Sequence, residues 1–304
     1  MNSAANKLYL IVIVGPTAIG KTSLSIELAK HYNCEIISAD SRQFFKELEI
    51  GTAKPTAEEQ VGIKHHFIDS HSITDNYNVG QYELEVIELL NTIHSQNNLA
   101  ILVGGSGLYV NAVCDGIDDI PSDSDIRSEL NHRFETEGLE VLQHQLQILD
   151  PEHFEKCNIK NPQRVIRALE VCLVSGKTYT SFRTNTKKKR NFEIIRIGLN
   201  MLREDIYDNI NQRVDNMINN GLIEEVQSVA HHREQNALNT VGYKEIFQYL
   251  DGNITLEESI LLLKKNTRNF AKRQLTWFRK NQETQWFSPQ SKEEIIQHIE
   301  NSME

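Results

Sequence analysis

Leu8-Tyr9-Leu10-Ile11-Val12-Ile13-Val14-Gly15-Pro16-Thr17-Ala18-Ile19-Gly20-Lys21-Thr22 joins a short apolar run to the pattern G-x-x-x-x-G-K-[ST]. The run is too short for a bilayer-spanning helix and fits a buried strand. Behind Thr22 comes Ser23-Leu24-Ser25-Ile26-Glu27-Leu28-Ala29, a helix-like segment. Strand, glycine-bounded loop and helix in that order form a phosphate-binding loop. Its backbone N–H groups converge on phosphate oxygens, Lys21 brings a mobile cation, and the Thr22 hydroxyl suits a magnesium ion. A di- or triphosphate ligand follows, held by Gly15, Pro16, Thr17, Ala18, Ile19, Gly20, Lys21 and Thr22.

Working outward, short apolar runs bounded by turn residues mark further strands: Glu35 to Ala39, Leu99 to Val103, Glu193 to Leu199 and, late in the chain, Gln285 to Phe287. Helical patterns lie between most of them, which predicts an α/β fold with a parallel sheet, a P-loop NTPase-like core covered on both faces. From Gly116 to Arg190 the strand signal stops. Ile126 to Leu149 has apolar residues at helical spacing. Asn161-Pro162 reads as a helix start and Gly176 as its stop. We therefore expect a core of residues 1–116 and 191–304 interrupted by a helical insertion at 117–190. After Arg203, an apolar stripe runs from Ile206 to Ile218, and the capping box Thr255-Leu256-Glu257-Glu258 opens a long basic helix.

The formal net charge is −10, which by itself argues against a polyanionic partner. The charge is segregated, however. Residues 160–190 and 264–280 together hold 16 of the 32 Lys and Arg residues and one acid, Glu170. Such segregation suits either a local polyanion-binding surface or two solvated helix faces. The four cysteines are scattered without a C-x-x-C pair, so neither a disulfide framework nor a zinc site is expected. With no membrane span in sight, no membrane partner and a cytoplasmic location are expected.

Asp40-Ser41-Arg42-Gln43 follows the second strand, at the sheet edge where parallel α/β proteins bind ligands. Asp40 is placed either to act as a general base or outer-shell magnesium ligand, or to cap the next turn. The third strand ends in Gly104-Gly105-Ser106-Gly107, where a nucleotide-hydrolysing machine carries a magnesium-holding aspartate. Gln163, Arg164 and Arg167 share a helix face suited to phosphates or base edges, or to solvent. Arg213 sits beside its helix's apolar stripe, within reach of either. The pairs His65-His66 and His231-His232 lack metal-ligand spacing and read as structural.

Eight segments taken together resemble the tRNA dimethylallyltransferases: Gly15 to Thr22, Asp40 to Gln43, Ile50-Gly51-Thr52-Ala53-Lys54-Pro55, His65-His66-Phe67-Ile68-Asp69, Gly104 to Tyr109, Asn161 to Glu170, Val241-Gly242-Tyr243-Lys244 and Ala271 to Arg279. They run in order from residue 15 to residue 279. Phe44-Phe45 and Ser106 depart slightly from the family pattern, and the lack of a zinc-binding extension after Trp286 points to the bacterial type.

The resemblance implies transfer of a dimethylallyl group from dimethylallyl diphosphate to N6 of an adenosine beside the anticodon, with Mg2+ as cofactor on Thr22. It implies catalytic roles for Asp40, Lys21, Thr22 and Arg213. It further implies tRNA contacts at Asp40, Ser41, Arg42, Gln43, Ser106, Arg127, Gln163, Arg164, Val165, Ile166, Arg167, Val241, Gly242, Tyr243 and Lys244, in an enzyme expected to be a monomer that grips the anticodon stem-loop. On the residues alone, a small-molecule kinase binding ATP at the same loop, an RNA-binding module without chemistry, and a transferase that prenylates free adenine nucleotides stay open.

Overall fold

The structure, a computed structural model, describes residues 7–184 and 186–304. Met1 to Asn6, at the head of the expected core, and Asn185, in the expected insertion, lie outside the described residues. The chain divides into two compact units, residues 1–115 with 189–304, and residues 116–188.

In the first unit the chain begins β1 (Tyr9–Val14), α1 (Lys21–Tyr32), β2 (Ile36–Ser38), α2 (Ala57–Gln60), β3 (His65–His66), α3 (Val79–His94), β4 (Leu99–Gly104) and α4 (Gly107–Asp115). The second unit holds α5 (Ser124–Glu137), α6 (Leu139–Leu149), α7 (Pro151–Lys156), α8 (Pro162–Ser175) and α9 (Tyr179–Phe182). The first unit resumes with β5 (Glu193–Leu199), α10 (Arg203–Asn219), α11 (Leu222–Ser228), α12 (Tyr243–Leu250), α13 (Leu256–Phe278), β6 (Gln285–Phe287) and α14 (Lys292–Met303).

Six strands form one sheet in the order β3-β2-β4-β1-β5-β6, every neighbouring pair parallel. Alternation along β1 explains both layers around it. Tyr9, Ile11 and Ile13 point into a core shared with α1, α10 and α14, while Leu10, Val12 and Val14 point into the opposite core with α3 and α4. Burying each of these side chains contributes about 1.5–3 kcal/mol. β3 has no apolar signal, because its two histidines are a short edge pairing to Ile36 and Ile37, and it is invisible to periodicity.

The order β2-β4-β1 brings three carboxyl ends side by side. Those ends lead into Asp40, the Gly104–Gly107 loop and the phosphate loop respectively. The site is therefore a direct product of topology.

In the second unit, Leu130, Leu142, Leu146, Val165, Ile166, Ala168 and Leu169 make the core. The helical spacing from Ile126 to Leu149 is shared by α5 and α6, because the chain turns at Gly138, where φ is 87°. As expected, Asn161 caps α8 through its side chain with Pro162 in the first turn, and Gly176 ends it. α13 likewise opens on the Thr255/Glu258 capping box.

Candidate functional site

Residues 17–22 of the phosphate loop line a cavity of about 280 Å³ together with Ser38, Asp40, Gln43, Gly105, Arg213 and Gln274. A second cavity of about 560 Å³ is lined by Ser41, Arg42, Ser106, Tyr109, Val241, Gly242, Lys244, Arg273 and Trp277. Thr17, Asp40, Thr52, Ala53, Gly105, Arg213, Phe270 and Gln274 belong to both. The first is a polar, cationic hole and the second a roomier one with aromatic walls.

Lys21 donates to the Pro16 carbonyl at 2.8 Å, and Arg213 donates to the Thr17 hydroxyl at 3.1 Å. Burial, reinforced by the Arg213 charge and partly offset by Asp40, pulls the Lys21 ammonium down to about 7. Two partly buried cations facing one carboxylate lack compensating negative charge, the condition a diphosphate relieves. Binding such a ligand raises the Lys21 value again. At pH 8 a Lys21 value of about 7 leaves the free protein's ammonium largely neutral, so binding of a diphosphate ligand is expected to take up close to one proton. Above pH 7 its affinity should fall by up to about tenfold per pH unit until the bound-state value is passed. Calorimetry in two buffers of different ionisation enthalpy measures the uptake, and zero uptake would contradict this picture.

Asp40 accepts from the Arg42 backbone N–H at 3.0 Å, so the turn after β2 fixes its carboxylate at the seam of both cavities. Asp40 caps its turn and also lines both cavities, so capping does not take it out of the site. Ser106 binds the same turn, accepting from the Ser41 N–H at 3.0 Å and donating to its hydroxyl at 3.1 Å.

Gln274 on α13 accepts from the Thr17 N–H at 2.8 Å and donates to the Gly105 carbonyl at 3.0 Å. It ties the loops after β1 and β4 together. This is why β4 runs into glycines: a Cβ at Gly105 would lie 2.3 Å from the Gln274 amide nitrogen, and one at Gly107 would lie 2.2 Å from the Trp277 ring. Gln274 and Trp277 belong to the Ala271 to Arg279 segment, where nothing in the sequence sets them apart. Their role depends on packing between residues far apart in the chain.

Other expected contacts take a different form. Gln43 is held by its own neighbours: its amide donates to the carbonyls of Thr52 and Ala53 and accepts from Ser38. Tyr243 opens α12, fully buried, and donates to Glu225 at 2.6 Å. Val165 and Ile166 are buried in the second unit's core. The expectation that Tyr243, Val165 and Ile166 touch RNA is corrected accordingly, since burial leaves these side chains only a supporting part. Gln163 and Arg164 are exposed on α8. Arg127 and Arg167 converge on the fully buried Glu170, at 2.7 and 3.0 Å, and Arg167 also donates to the carbonyls of Ile120 and Pro121. The lone acid of the basic window is thus its organiser, a buried pivot that fixes two guanidinium groups.

His65 lines the phosphate-side cavity, its Nδ1 lies 3.1 Å from the Ile63 carbonyl, and its buried Nε2 has no hydrogen-bond partner among the described residues. A further cationic feature lies between α10 and α13, where Arg203, Arg268 and Lys272 stand 5.1, 5.7 and 6.0 Å from the Tyr207 ring centroid.

For magnesium the donor set is sparse but sufficient. The Thr22 hydroxyl lines the cavity with Ser38 and Asp40, and among the described residues no cluster of three His, Cys, Asp or Glu side chains forms a metal cage. Magnesium bound by one hydroxyl, substrate phosphates and water needs no such cage, so the residues fit it. Among the described residues no helix is long and apolar enough to cross a membrane.

The profile of the IPP transferase family matches residues 43–281. A tRNA dimethylallyltransferase 1 of Bacteroides fragilis is 49% identical over 295 residues, covering 97% of this chain and 98% of that protein. A tRNA dimethylallyltransferase of Christiangramia forsetii is 52% identical over 297 residues, covering 97% and 98%. Among solved structures, the tRNA isopentenylpyrophosphate transferase of Bacillus halodurans matches with a TM-score of 0.72 at 40% identity, over 98% of this chain and 97% of that one. A eukaryotic dimethylallyltransferase, captured acting on tRNA, matches with a TM-score of 0.77 at 25% identity, over 97% of this chain and 77% of that one.

Proposed function

This chain belongs to the IPP transferase family, and we propose that it transfers a dimethylallyl group from dimethylallyl diphosphate to N6 of an adenosine beside the anticodon of tRNA, releasing diphosphate. The observation that carries the reading is the pair of cavities meeting at Asp40. One is built for a diphosphate and the other is large enough for a base extruded from its stack.

In this reading the donor's phosphates lie against the phosphate-loop amides, Lys21 and Arg213. Those groups neutralise the charge that builds on the leaving oxygen as the allylic C–O bond breaks. Magnesium held at Thr22 would supply further charge neutralisation to the phosphates. The N6 lone pair forms the new C–N bond, and Asp40 takes the N6 proton. The phosphate loop in this reading serves a leaving group. Ser41, Arg42, Ser106, Val241, Gly242 and Lys244 surround the incoming nucleotide, while Gln163, Arg164, Arg167 and Arg127 present the insertion to the anticodon stem-loop. In this reading the enzyme works as a monomer in the cytoplasm.

Incubation with labelled dimethylallyl diphosphate and either unmodified tRNA or AMP tests the reaction. Label on tRNA supports it; label on AMP alone favours a free-nucleotide transferase, and label on neither defeats both.

The RNA grip has its own signature. Binding to phosphates releases counterions, so affinity for the anticodon stem-loop should fall steeply with salt despite the negative total charge. Neutralising Lys272 and Arg273 should flatten the log–log slope by about one unit for each phosphate left without its cation. Binding of stem-loops across a salt series checks this, and a slope near zero in the parent would return the basic windows to solvated helix faces.

A further inference from the structure

The loop Glu49-Ile50-Gly51-Thr52-Ala53-Lys54 supplies Thr52 and Ala53 to both cavities, yet its own conformation is unfavourable. Ala53 has a φ of 48°, in the left-handed region, which costs an alanine roughly 1–2 kcal/mol. Such a conformation persists only where its surroundings impose it.

The restraint comes from α11. One carboxylate, that of Glu225, accepts from three consecutive backbone N–H groups: Glu49 at 2.9 Å, Ile50 at 2.7 Å and Gly51 at 2.9 Å. It also accepts from the Tyr243 hydroxyl at 2.6 Å. Tyr243 in turn lies so close to the loop that a Cβ at Gly51 would be 2.6 Å from its ring. From the other side, Gln43 grips the carbonyls of Thr52 and Ala53. Neither Glu225 nor Tyr243 lines either cavity.

We propose that Glu225, seconded by Tyr243, is a positioning residue for the transfer reaction: it holds the 49–54 loop so that Thr52 and Ala53 form the wall against which donor and acceptor are aligned. Four hydrogen bonds onto one carboxylate exceed what a helix surface needs for solubility or capping. They act on a segment whose neighbours touch the site. The proposal rests on the reaction proposed above.

The variants are Glu225→Gln, which keeps the shape but loses charge and one acceptor oxygen, and Tyr243→Phe, which removes one hydrogen bond and keeps the ring over Gly51. In Glu225→Gln, amide exchange at residues 49–51 should quicken by about tenfold or more while exchange in the β1 and β4 core stays slow. Its kcat should fall by about ten- to a hundredfold and its donor KM should rise, with tRNA KM within about twofold of the parent. Tyr243→Phe should shift the same quantities in the same direction by a few-fold, and it carries the test if Glu225→Gln does not fold. Unchanged exchange at 49–51, or quickened exchange with the parent's kcat and donor KM, overturns the proposal. A parent protein that transfers no label defeats the proposed reaction instead; exchange at 49–51 and affinity for inorganic diphosphate then decide the loop's role.

Discussion

Lys21→Ala is expected to lower kcat by about three orders of magnitude, a loss of about 4 kcal/mol in transition-state stabilisation. Nothing else in the cavity replaces the ammonium. Arg213 already serves the phosphates from its own position, bonded to the Thr17 hydroxyl, and Gln274 offers its donor hydrogens to Gly105. Loss of the cation is felt most where leaving-group charge peaks, so kcat should suffer more than donor affinity. Single-turnover transfer to tRNA at saturating donor makes the measurement. Turnover within a few-fold of the parent would remove the phosphate loop from the chemistry.

Asp40→Asn should lower kcat by about a hundredfold or more while tRNA affinity changes little. The substitution is nearly neutral for shape, because an asparagine oxygen can still accept from the Arg42 N–H that fixes the turn. It also removes the negative charge that partly holds up the Lys21 ammonium, so donor KM should rise as well, increasingly so above pH 7. Saturating donor keeps Lys21 charged in both proteins and isolates the loss of the proton acceptor in kcat. If tRNA binding were abolished while turnover per bound complex survived, Asp40 would be a recognition residue.

Much of the fold is legible in the sequence because its signals are local. β1 and its loop, the apolar runs of β2, β4 and β5, and the caps at Asn161 and Thr255 all announce themselves within a few residues. β3 does not, because two histidines on a sheet edge have no burial pattern to display. The break at Gly138 does not either, because a turn that leaves the apolar period in step on both sides looks like one helix.

The site divides along the same line. Charged residues that line the cavities, such as Lys21, Asp40 and Arg213, have a residue type that advertises chemistry. Those that hold the site together do not: Gln274, Glu225 and Glu170 look like ordinary surface polar residues until packing buries their partners. Conversely Tyr243, Val165 and Ile166 stand beside promising neighbours and are core.

Gln274 has a consequence for how the protein is made. The segments it joins, at Thr17 and Gly105, are synthesised early, and the residue that joins them comes late in a 304-residue chain. The Tyr9 hydroxyl likewise waits for the carbonyl of Met303. A nascent chain therefore carries every phosphate-loop residue long before it has a phosphate site. A product cut short before Gln274 would retain the whole motif and lack the clamp that joins its loop to Gly105.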